Sequence, residues 1–311
     1  MPNVKNKERY SKLSPSMALN LAAPHTWPAA VLPVLFSVVY TAFLGIDINY
    51  ACALVLLLIC IFMQSCVNTL NDYHDFKKGA DTLDNQHDPS DAVLVYNNVN
   101  PVHVKRLAYI FLALPFMIGF YIVYVAGPAP YILGLVGAFF VIAYSSGKTP
   151  VSYLPIGELV SGLSMGCLIP FACVLSLTGQ YHFEVILLSV PFIISIALIM
   201  LTNNTCDIEK DAEVGRTTLP VLLGRKKSKV VYQIALIVWI SSIIAITVVL
   251  FTPATPLLLV LMILAYPQFI QLWKNPLILQ TRIPAMGSIL GLNITLGVSY
   301  CMLCMASMVL T

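Results

Sequence analysis

The chain has 311 residues, of which 59% are hydrophobic and only 10% are charged, and its formal net charge at pH 7 is +3. Together with a mean hydropathy of +0.85, this composition excludes a soluble globular protein and is typical of a polytopic membrane protein. No separate soluble domain fits within this length. We therefore expect one all-α membrane domain over residues 1–311, with the lipid bilayer as its surroundings and no nucleic-acid partner.

Apolar runs long enough to cross a bilayer, about 20 residues for a helix, occur nine times along the chain. They cover residues 17–45, 49–70, 103–125, 130–146, 156–178, 183–203, 229–251, 255–273 and 284–310. Pro24, Pro28 and Pro33 in the first run predict a kinked or oblique first helix. Residues 1–16 carry four basic side chains and no convincing cleavage pattern, so we expect a cytoplasmic segment and a retained helix.

The basic residues alternate between the two sides of this predicted bundle. All seventeen Lys and Arg residues lie before the first run or between runs 2 and 3, 4 and 5, 6 and 7, and 8 and 9, whereas the other connections contain none. The positive-inside rule then places the N-terminus in the cytoplasm and the C-terminus outside. We predict an integral protein of a bacterial plasma membrane.

The cysteines give no sign of a disulfide framework. The chain has eight, and nearly all of them lie in apolar runs. Cys301 and Cys304 form a C-x-x-C pattern within the last run, which we interpret as packing within a hydrophobic helix.

A polar stripe closes the second apolar run. Gln64, Asn68, Asp72 and Asp75 are spaced four, four and three residues apart, and Asn71 precedes Asp75 by four. On a helix these side chains share one face. Amides and acids are costly at a membrane boundary, so their presence indicates a functional site. Oxygen atoms are the ligands of hydrated divalent cations, and we therefore predict a site for such a cation.

A second stripe closes the sixth run, where Asn203, Asp207 and Asp211 are four residues apart. Ten of the fourteen Asp and Glu residues belong to the two regions, which suggests one shared site on the cytoplasmic side and an internal duplication. They are Asp72, Asp75, Asp81, Asp84, Asp88, Asp91, Asp207, Glu209, Asp211 and Glu213. We predict active-site loops at residues 72–102, which we expect to close as a lid, and at 204–228. Asn100-Pro101 predicts the start of the next helix.

Carboxylates beside cations at a lipid boundary predict a phosphorylated amphiphile held through Mg²⁺, which binds one or two carboxylates and substrate phosphate oxygens. Diphosphate carries more charge than one metal neutralises, so basic side chains should assist. The candidates are Lys77, Lys78, Lys148 and Arg216, with Lys105 and Arg106 as weaker choices. Each of them has the alternative role of a topology determinant.

Two motifs resemble the signatures of the UbiA-type intramembrane aromatic prenyltransferases. The first is Asn71-Asp72-x-x-Asp75 followed by Asp81, and the second is Asn203-Asn204-x-x-Asp207-x-x-x-Asp211 followed by Gly215 and Thr218-Leu219. The resemblance extends in chain order to Pro24-x-Thr26-x-Pro28, Asp88-Pro89-Ser90, Tyr144-Ser145-x-Gly147 and Gly157-Glu158. It implies nine helices around a central cavity that opens sideways to lipid.

The resemblance also implies roles for individual residues. Mg²⁺ would be held by Asn71, Asp72, Asp75, Asp207 and Asp211, and the diphosphate by Asn68, Asn71, Lys77, Lys78, Lys148 and Arg216. The four aspartates, Tyr144 and Lys148 would be catalytic, with the Tyr144 face stabilising an allylic cation. Glu158, His25 and Tyr153 are weaker acceptor-binding candidates, and Glu158 has the alternative role of favouring a helix dipole.

The implied substrates are a lipid-soluble prenyl diphosphate and a small aromatic acceptor, with no obligatory protein partner. The branch that the chain most resembles prenylates 1,4-dihydroxy-2-naphthoate, with loss of CO₂, on the way to menaquinone. Ala23, Asp91 and Cys206 stand where that branch leads us to expect basic residues, and Lys148 is a possible replacement. A different aromatic acceptor and, from another class, a secondary transporter therefore stay open as alternatives, as do the prenyl length and the oligomeric state.

Overall fold

The structure is a computed structural model that describes residues 10–80, 82 and 92–310. Within these residues the fold is all-helical, and one isolated bridge between Ser11 and Val99 is the only β-type pairing. The α-helices are α1 Pro15–Ala22, α2 Pro28–Phe43, α3 Tyr50–Lys78, α4 Val93–Asn97, α5 Pro101–Ala126, α6 Pro128–Ser145, α7 Gly157–Leu163, α8 Ile169–Thr178, α9 Glu184–Leu188, α10 Val190–Cys206, α11 Ile208–Glu213, α12 Leu219–Leu250, α13 Leu258–Lys274 and α14 Arg282–Leu310.

Seven segments in the described part of the chain are long and apolar enough to cross a membrane, and α1 with α2 makes a possible eighth. The predicted sixth run, 183–203, is not one continuous helix. It divides into α9 and α10 at Ser189, two residues before Pro191, because proline has no amide hydrogen to continue a helix. The resulting α10 has 17 residues, which is at the short end of what a span requires.

The predicted kink in the first helix is confirmed. α1 ends at Ala22, the following Ala23 has a left-handed backbone with φ of 47°, and Pro28 begins α2. The axes of the two segments differ by 58°. The Ala22 carbonyl, left without a helical partner, accepts hydrogen bonds from Trp27 Nε1 at 3.1 Å and Asn68 Nδ2 at 3.0 Å. The break is therefore satisfied by neighbouring side chains, as a membrane environment requires.

The predicted helix start at Asn100-Pro101 is also confirmed. Asn100 caps α5 by accepting a hydrogen bond from the Val102 amide at 2.9 Å, and proline at the first helical position loses no helical hydrogen bond. α5 packs along α3, with Phe111 against Phe62.

An aromatic cluster forms the core between α2, α10 and α14. The Phe36 ring lies 5.2 Å from that of Tyr300 and 5.3 Å from that of Phe192. Such ring pairs contribute roughly 0.5–1.5 kcal/mol each beyond their burial. Tyr300 also donates a hydrogen bond to the Leu188 carbonyl at 2.9 Å. This core fixes α10 against its neighbours.

Close backbone contact sets α10 against α7 and the π-helical turn Ser164–Leu168 that follows it. A Cβ atom at Gly162 would lie 2.6 Å from the Ile193 carbonyl oxygen, and one at Gly166 would lie 2.4 Å from the Ile193 nitrogen. Only glycine allows this approach, which is the small-residue packing common between membrane helices. The contact aligns α7, which carries Glu158, with α10, which carries the second polar stripe.

Candidate active site

The two acidic stripes meet at one arginine. Arg216 donates from Nη2 to Asp75 Oδ1 at 2.5 Å and from Nη1 to Asp211 Oδ1 at 3.3 Å. Gly215, with φ of 75°, ends the short helix α11 and turns the chain back, so that the Arg216 amide bonds to the Asp211 carbonyl at 2.9 Å. The left-handed backbone explains the glycine at this position.

A second arginine contacts the end of α10. Arg282, the first residue of α14, donates from Nε to Asp207 Oδ2 at 3.1 Å and to Asn203 Oδ1 at 3.0 Å. Each stripe is thus in contact with a guanidinium group. Arg282 joins the end of α10 to the start of α14.

The four motif aspartates are buried, with exposed fractions of 9% for Asp72, 8% for Asp75, 6% for Asp207 and 2% for Asp211. Burial raises the pKa of Asp211 to about 6, although Arg216 acts in the opposite direction. Burial lowers the pKa of Arg216, but the carboxylates of Asp75 and Asp211 raise it by more. Buried carboxylates are costly unless cations compensate them, and the two guanidinium groups compensate Asp75, Asp207 and Asp211.

The donor chemistry fits a hydrated divalent cation. Asp72, Asp75, Asp207 and Asp211 offer only oxygen, the ligand that Mg²⁺ prefers, and Mg²⁺ needs just one or two carboxylates because water and phosphate complete its shell. The described residues contain no group of three or more His, Cys, Asp or Glu side chains already arranged around one point. Arg216 and Arg282 form ion pairs with Asp75, Asp211 and Asp207.

Tyr153 lies beside the arginine that joins the stripes. Its ring centroid is 4.8 Å from Arg216 Cζ and 4.0 Å from Lys78 Nζ. Its carbonyl accepts from the Thr217 amide at 2.9 Å and from the Thr217 hydroxyl at 3.0 Å. The resemblance made Tyr153 a weak candidate for binding the acceptor. In the structure its ring contacts Lys78 and Arg216, two residues predicted to bind the diphosphate.

Glu158 and Asn204 form a buried polar pair at the contact of α7 with α10. Glu158 Oε1 accepts from Asn204 Nδ2 at 2.8 Å, and Oε2 has no hydrogen-bond partner among the described residues. Tyr144, at the end of α6, lies close to Ser161 and Glu158. The side chains of the adjacent residues Asn203 and Asn204 thus have different partners. Asn203 contacts Arg282, and Asn204 contacts Glu158.

Several predicted site residues lie away from these contacts. Asn68 donates to the Ala22 carbonyl and, at 2.8 Å, to Thr26 Oγ1, which ties it to the break in the first helix. Asn71, in contrast, donates to Asp75 Oδ2 at 3.2 Å and so lies with the first motif. His25, Lys77 and Lys148 are exposed. The predicted positions Asp81, Asp84, Asp88 and Asp91 lie outside the described residues.

Sequence reasoning missed Arg282 and gave Asn204 no role. Arg282 was counted only as a topology determinant, yet it stands at a helix N-terminus, where the helix dipole disfavours a cation. That unfavourable position was the signal that could have identified it. Cys206, where the resemblance led us to expect a basic residue, is fully buried and has Arg282 and Arg225 among its charged neighbours.

Arg225 has a structural explanation. It forms two bonds to the Glu209 carboxylate, at 2.8 and 2.6 Å, and also donates to the carbonyls of Thr205 and Leu277. Lys229 similarly donates to the carbonyls of Leu272 and Asn275 at the end of α13. These cations hold α12 against its neighbours.

The sequence matches the model of the UbiA prenyltransferase family over residues 30–277. A 1,4-dihydroxy-2-naphthoate octaprenyltransferase of Bacillus subtilis is 32% identical over 206 residues, which cover 66% of this chain and 65% of that protein. UbiA prenyltransferase domain-containing protein 1 of Rattus norvegicus is 28% identical over 53% of this chain and 48% of that protein. The chain thus spans between about half and two thirds of the length of these relatives.

Solved structures show the same fold. A UbiA homolog from Archaeoglobus fulgidus, bound to GPP and Mg²⁺, superposes with a TM-score of 0.65 at 17% identity, covering 92% of this chain and 99% of that one. A structure described for digeranylgeranylglyceryl phosphate synthase in membranes has a TM-score of 0.61 at 16% identity, covering 93% of this chain and 98% of that one. At these identities the likeness concerns the fold alone.

Proposed function

The chain belongs to the UbiA prenyltransferase family, and we propose that it transfers a prenyl chain from an allylic prenyl diphosphate to 1,4-dihydroxy-2-naphthoate, with loss of CO₂, in menaquinone biosynthesis. The naphthoate octaprenyltransferase of Bacillus subtilis, 32% identical, supports this acceptor. The observation that carries the proposal is the meeting of Asp75 and Asp211, from the two acidic motifs, at Arg216. Family membership removes the transporter alternative.

The proposal includes a membrane arrangement. Nine helices would surround a central cavity, with the N-terminus and the active site on the cytoplasmic side of a bacterial plasma membrane and the C-terminus outside. The seven or eight segments that meet the length and hydropathy of a span, with α10 as a short ninth, support this count. The alternating basic connections support the orientation.

The metal-binding residues would be Asn71, Asp72, Asp75, Asp207 and Asp211. When bound there, Mg²⁺ supplies Lewis-acid stabilisation of the charge on the leaving diphosphate. Arg216 would bind the same diphosphate. Its guanidinium lies between the two motifs, and its planar fork suits phosphate oxygens. Lys78 contacts the same Tyr153 ring as Arg216 does and would add positive charge beside the diphosphate. Lys77 and Lys148 are weaker candidates for binding the diphosphate.

The acceptor would bind toward Glu158 and Tyr144. As the diphosphate leaves, the allylic carbon becomes cationic, and the face of Tyr144 would stabilise it by about 0.5–2 kcal/mol. The electron-rich ring attacks through the carbon that bears the carboxylate, and the bond to CO₂ then breaks. Glu158 has one oxygen held by Asn204, which leaves the other oxygen to take the proton of an acceptor hydroxyl.

A product assay tests the proposed function. Purified, lipid-reconstituted protein is given allylic diphosphates of several lengths with 1,4-dihydroxy-2-naphthoate or other aromatic acceptors, with and without Mg²⁺, and products are identified by mass. We expect a metal-dependent prenylated naphthoquinol that lacks the carboxylate. Product from another acceptor alone would reject the naphthoate assignment and keep the prenyltransferase activity.

Replacing Glu158 with glutamine tests its role as a base. The variant keeps an oxygen for Asn204 but removes the proton-accepting carboxylate, so we expect kcat to fall by at least about 100-fold while the KM for the prenyl diphosphate stays unchanged. Glu184→Gln, in the first turn of α9, is the matched control and should retain parental kcat. A similar, small decrease of kcat in both variants would contradict the role of Glu158 as a base. Its carboxylate would then serve only to stabilise the N-terminus of α7 through the helix dipole.

A further inference from the structure

Arg282 is held in an unusual position for a cation. It begins α14, a helix of 29 residues, and its Nε contacts Asp207 at 3.1 Å and Asn203 at 3.0 Å. Its side chain is 20% exposed, whereas that of Asp207 is 8% exposed. The guanidinium group is therefore largely buried but still reachable at the edge of the acidic site.

The pairing of Arg282 with Asp207 compensates a buried carboxylate, but a cation at this position also carries costs. A cation at a helix N-terminus opposes the helix dipole, at a cost of about 0.3–1 kcal/mol. A partly buried ion pair roughly balances its Coulomb attraction against the loss of hydration. Compensation of the buried Asp207 carboxylate accounts for the positive charge of Arg282 while no metal is bound. A divalent cation bound to Asp207 would take over that compensation, so the charge of Arg282 then needs a further explanation.

The arrangement around Arg216 supplies that explanation. Arg216 and Arg282 come from different connections, yet each guanidinium bonds to motif aspartates, Arg216 to Asp75 and Asp211 and Arg282 to Asp207. A diphosphate presents two phosphate groups, and each can accept paired hydrogen bonds from a planar guanidinium. Once a bound cation compensates the charge of Asp207, the attraction that holds Arg282 weakens, and its donors become available to phosphate oxygens.

We propose that Arg282 binds the diphosphate of the prenyl donor, together with Arg216, and that its pairing with Asp207 is the state that precedes substrate binding. This inference rests on the proposed function. It assigns a ligand-binding role to a residue outside both acidic motifs.

Binding of inorganic pyrophosphate tests the proposal without any reaction. Calorimetry on reconstituted protein with Mg²⁺ compares the parent with Arg282→Gln, which keeps an amide donor for Asp207, and with Arg282→Lys, which keeps the charge. Lys274→Gln, an exposed basic residue before the same connection, is the matched control. We expect affinity about 10-fold or more lower in Arg282→Gln, a smaller loss in Arg282→Lys, and no loss in Lys274→Gln.

The outcomes separate this inference from the proposed function. Parental pyrophosphate affinity in Arg282→Gln would show that Arg282 serves only as the counter-ion of Asp207, and would overturn the inference alone. If Arg282→Gln does not fold, Arg282→Lys decides, because a mere counter-ion role predicts parental affinity in that variant. A parent that neither binds pyrophosphate nor forms a prenylated product would overturn both proposals. Thermal unfolding without ligand accompanies each measurement.

Discussion

Asp75→Ala is expected to lower turnover by at least about 100-fold while the protein stays folded. The variant removes a proposed metal ligand and one of the two carboxylates that orient Arg216. Arg216 keeps Asp211 as a partner at 3.3 Å, so no buried cation is left uncompensated and the fold is preserved. Product formation under saturating Mg²⁺ measures the effect, and we expect the same loss for Asp207→Ala.

Asp47→Ala is the control for these two variants. Asp47 is an exposed aspartate in the connection between α2 and α3, at the opposite end of α3 from Asp75. Its replacement should leave both turnover and the unfolding temperature at parental values. Normal turnover in Asp75→Ala or Asp207→Ala would contradict the proposed metal-binding set.

Gly166→Ala is expected to produce the largest loss of stability. The added Cβ would lie 2.4 Å from the Ile193 nitrogen and 2.6 Å from its Cα, and backbone atoms cannot rotate away as a flexible side chain can. The π-helical turn Ser164–Leu168 and α10 would have to separate, with a cost of about 3 kcal/mol or more in the free energy of unfolding. Thermal unfolding of the purified protein measures this loss. Activity should fall with it, because α10 positions Asn203 and Asn204.

Gly134→Ala provides a matched comparison within α6. A Cβ atom there would meet nothing within 4 Å, so the intrinsic helix preference of alanine should leave stability equal or higher by about 0.5–1 kcal/mol. Equal unfolding temperatures for Gly166→Ala and Gly134→Ala would refute the close approach of the Ser164–Leu168 turn and α10.

Local signals identified most of the helical elements. Hydrophobic run length predicted α3, α5 and α12, since a helix that crosses a bilayer must satisfy its backbone internally. The prolines of the first run predicted its 58° bend, and Asn100-Pro101 predicted the start of α5. Pro191 carried the same kind of information, but the run 183–203 was interpreted from hydropathy alone, and its division into α9 and α10 was missed.

The contacts in the candidate site depended on long-range packing. The acidic stripes of α3 and of α10–α11 were visible as periodic patterns, but Arg216 and Asp75 are separated by 141 residues and Arg282 and Asn203 by 79. No local pattern indicates which loop cation reaches which acid. Asn68 shows the converse, because its position in the stripe suggested a ligand, whereas the kinked first helix uses its amide to satisfy the Ala22 carbonyl.

By itself the sequence determined that this protein is an all-helical membrane protein with two acidic motifs and the signature of its family, because hydropathy, periodicity and charge placement act over a few neighbouring residues. Only the tertiary structure decided that Arg216 joins the two motifs, that Arg282 contacts the second, and that Asn204 holds Glu158. The contacts of Arg282 and Asn204 follow from how α10 packs against α14 and α7. That packing depends on backbone approach at Gly162 and Gly166, a property of two helices together rather than of either one.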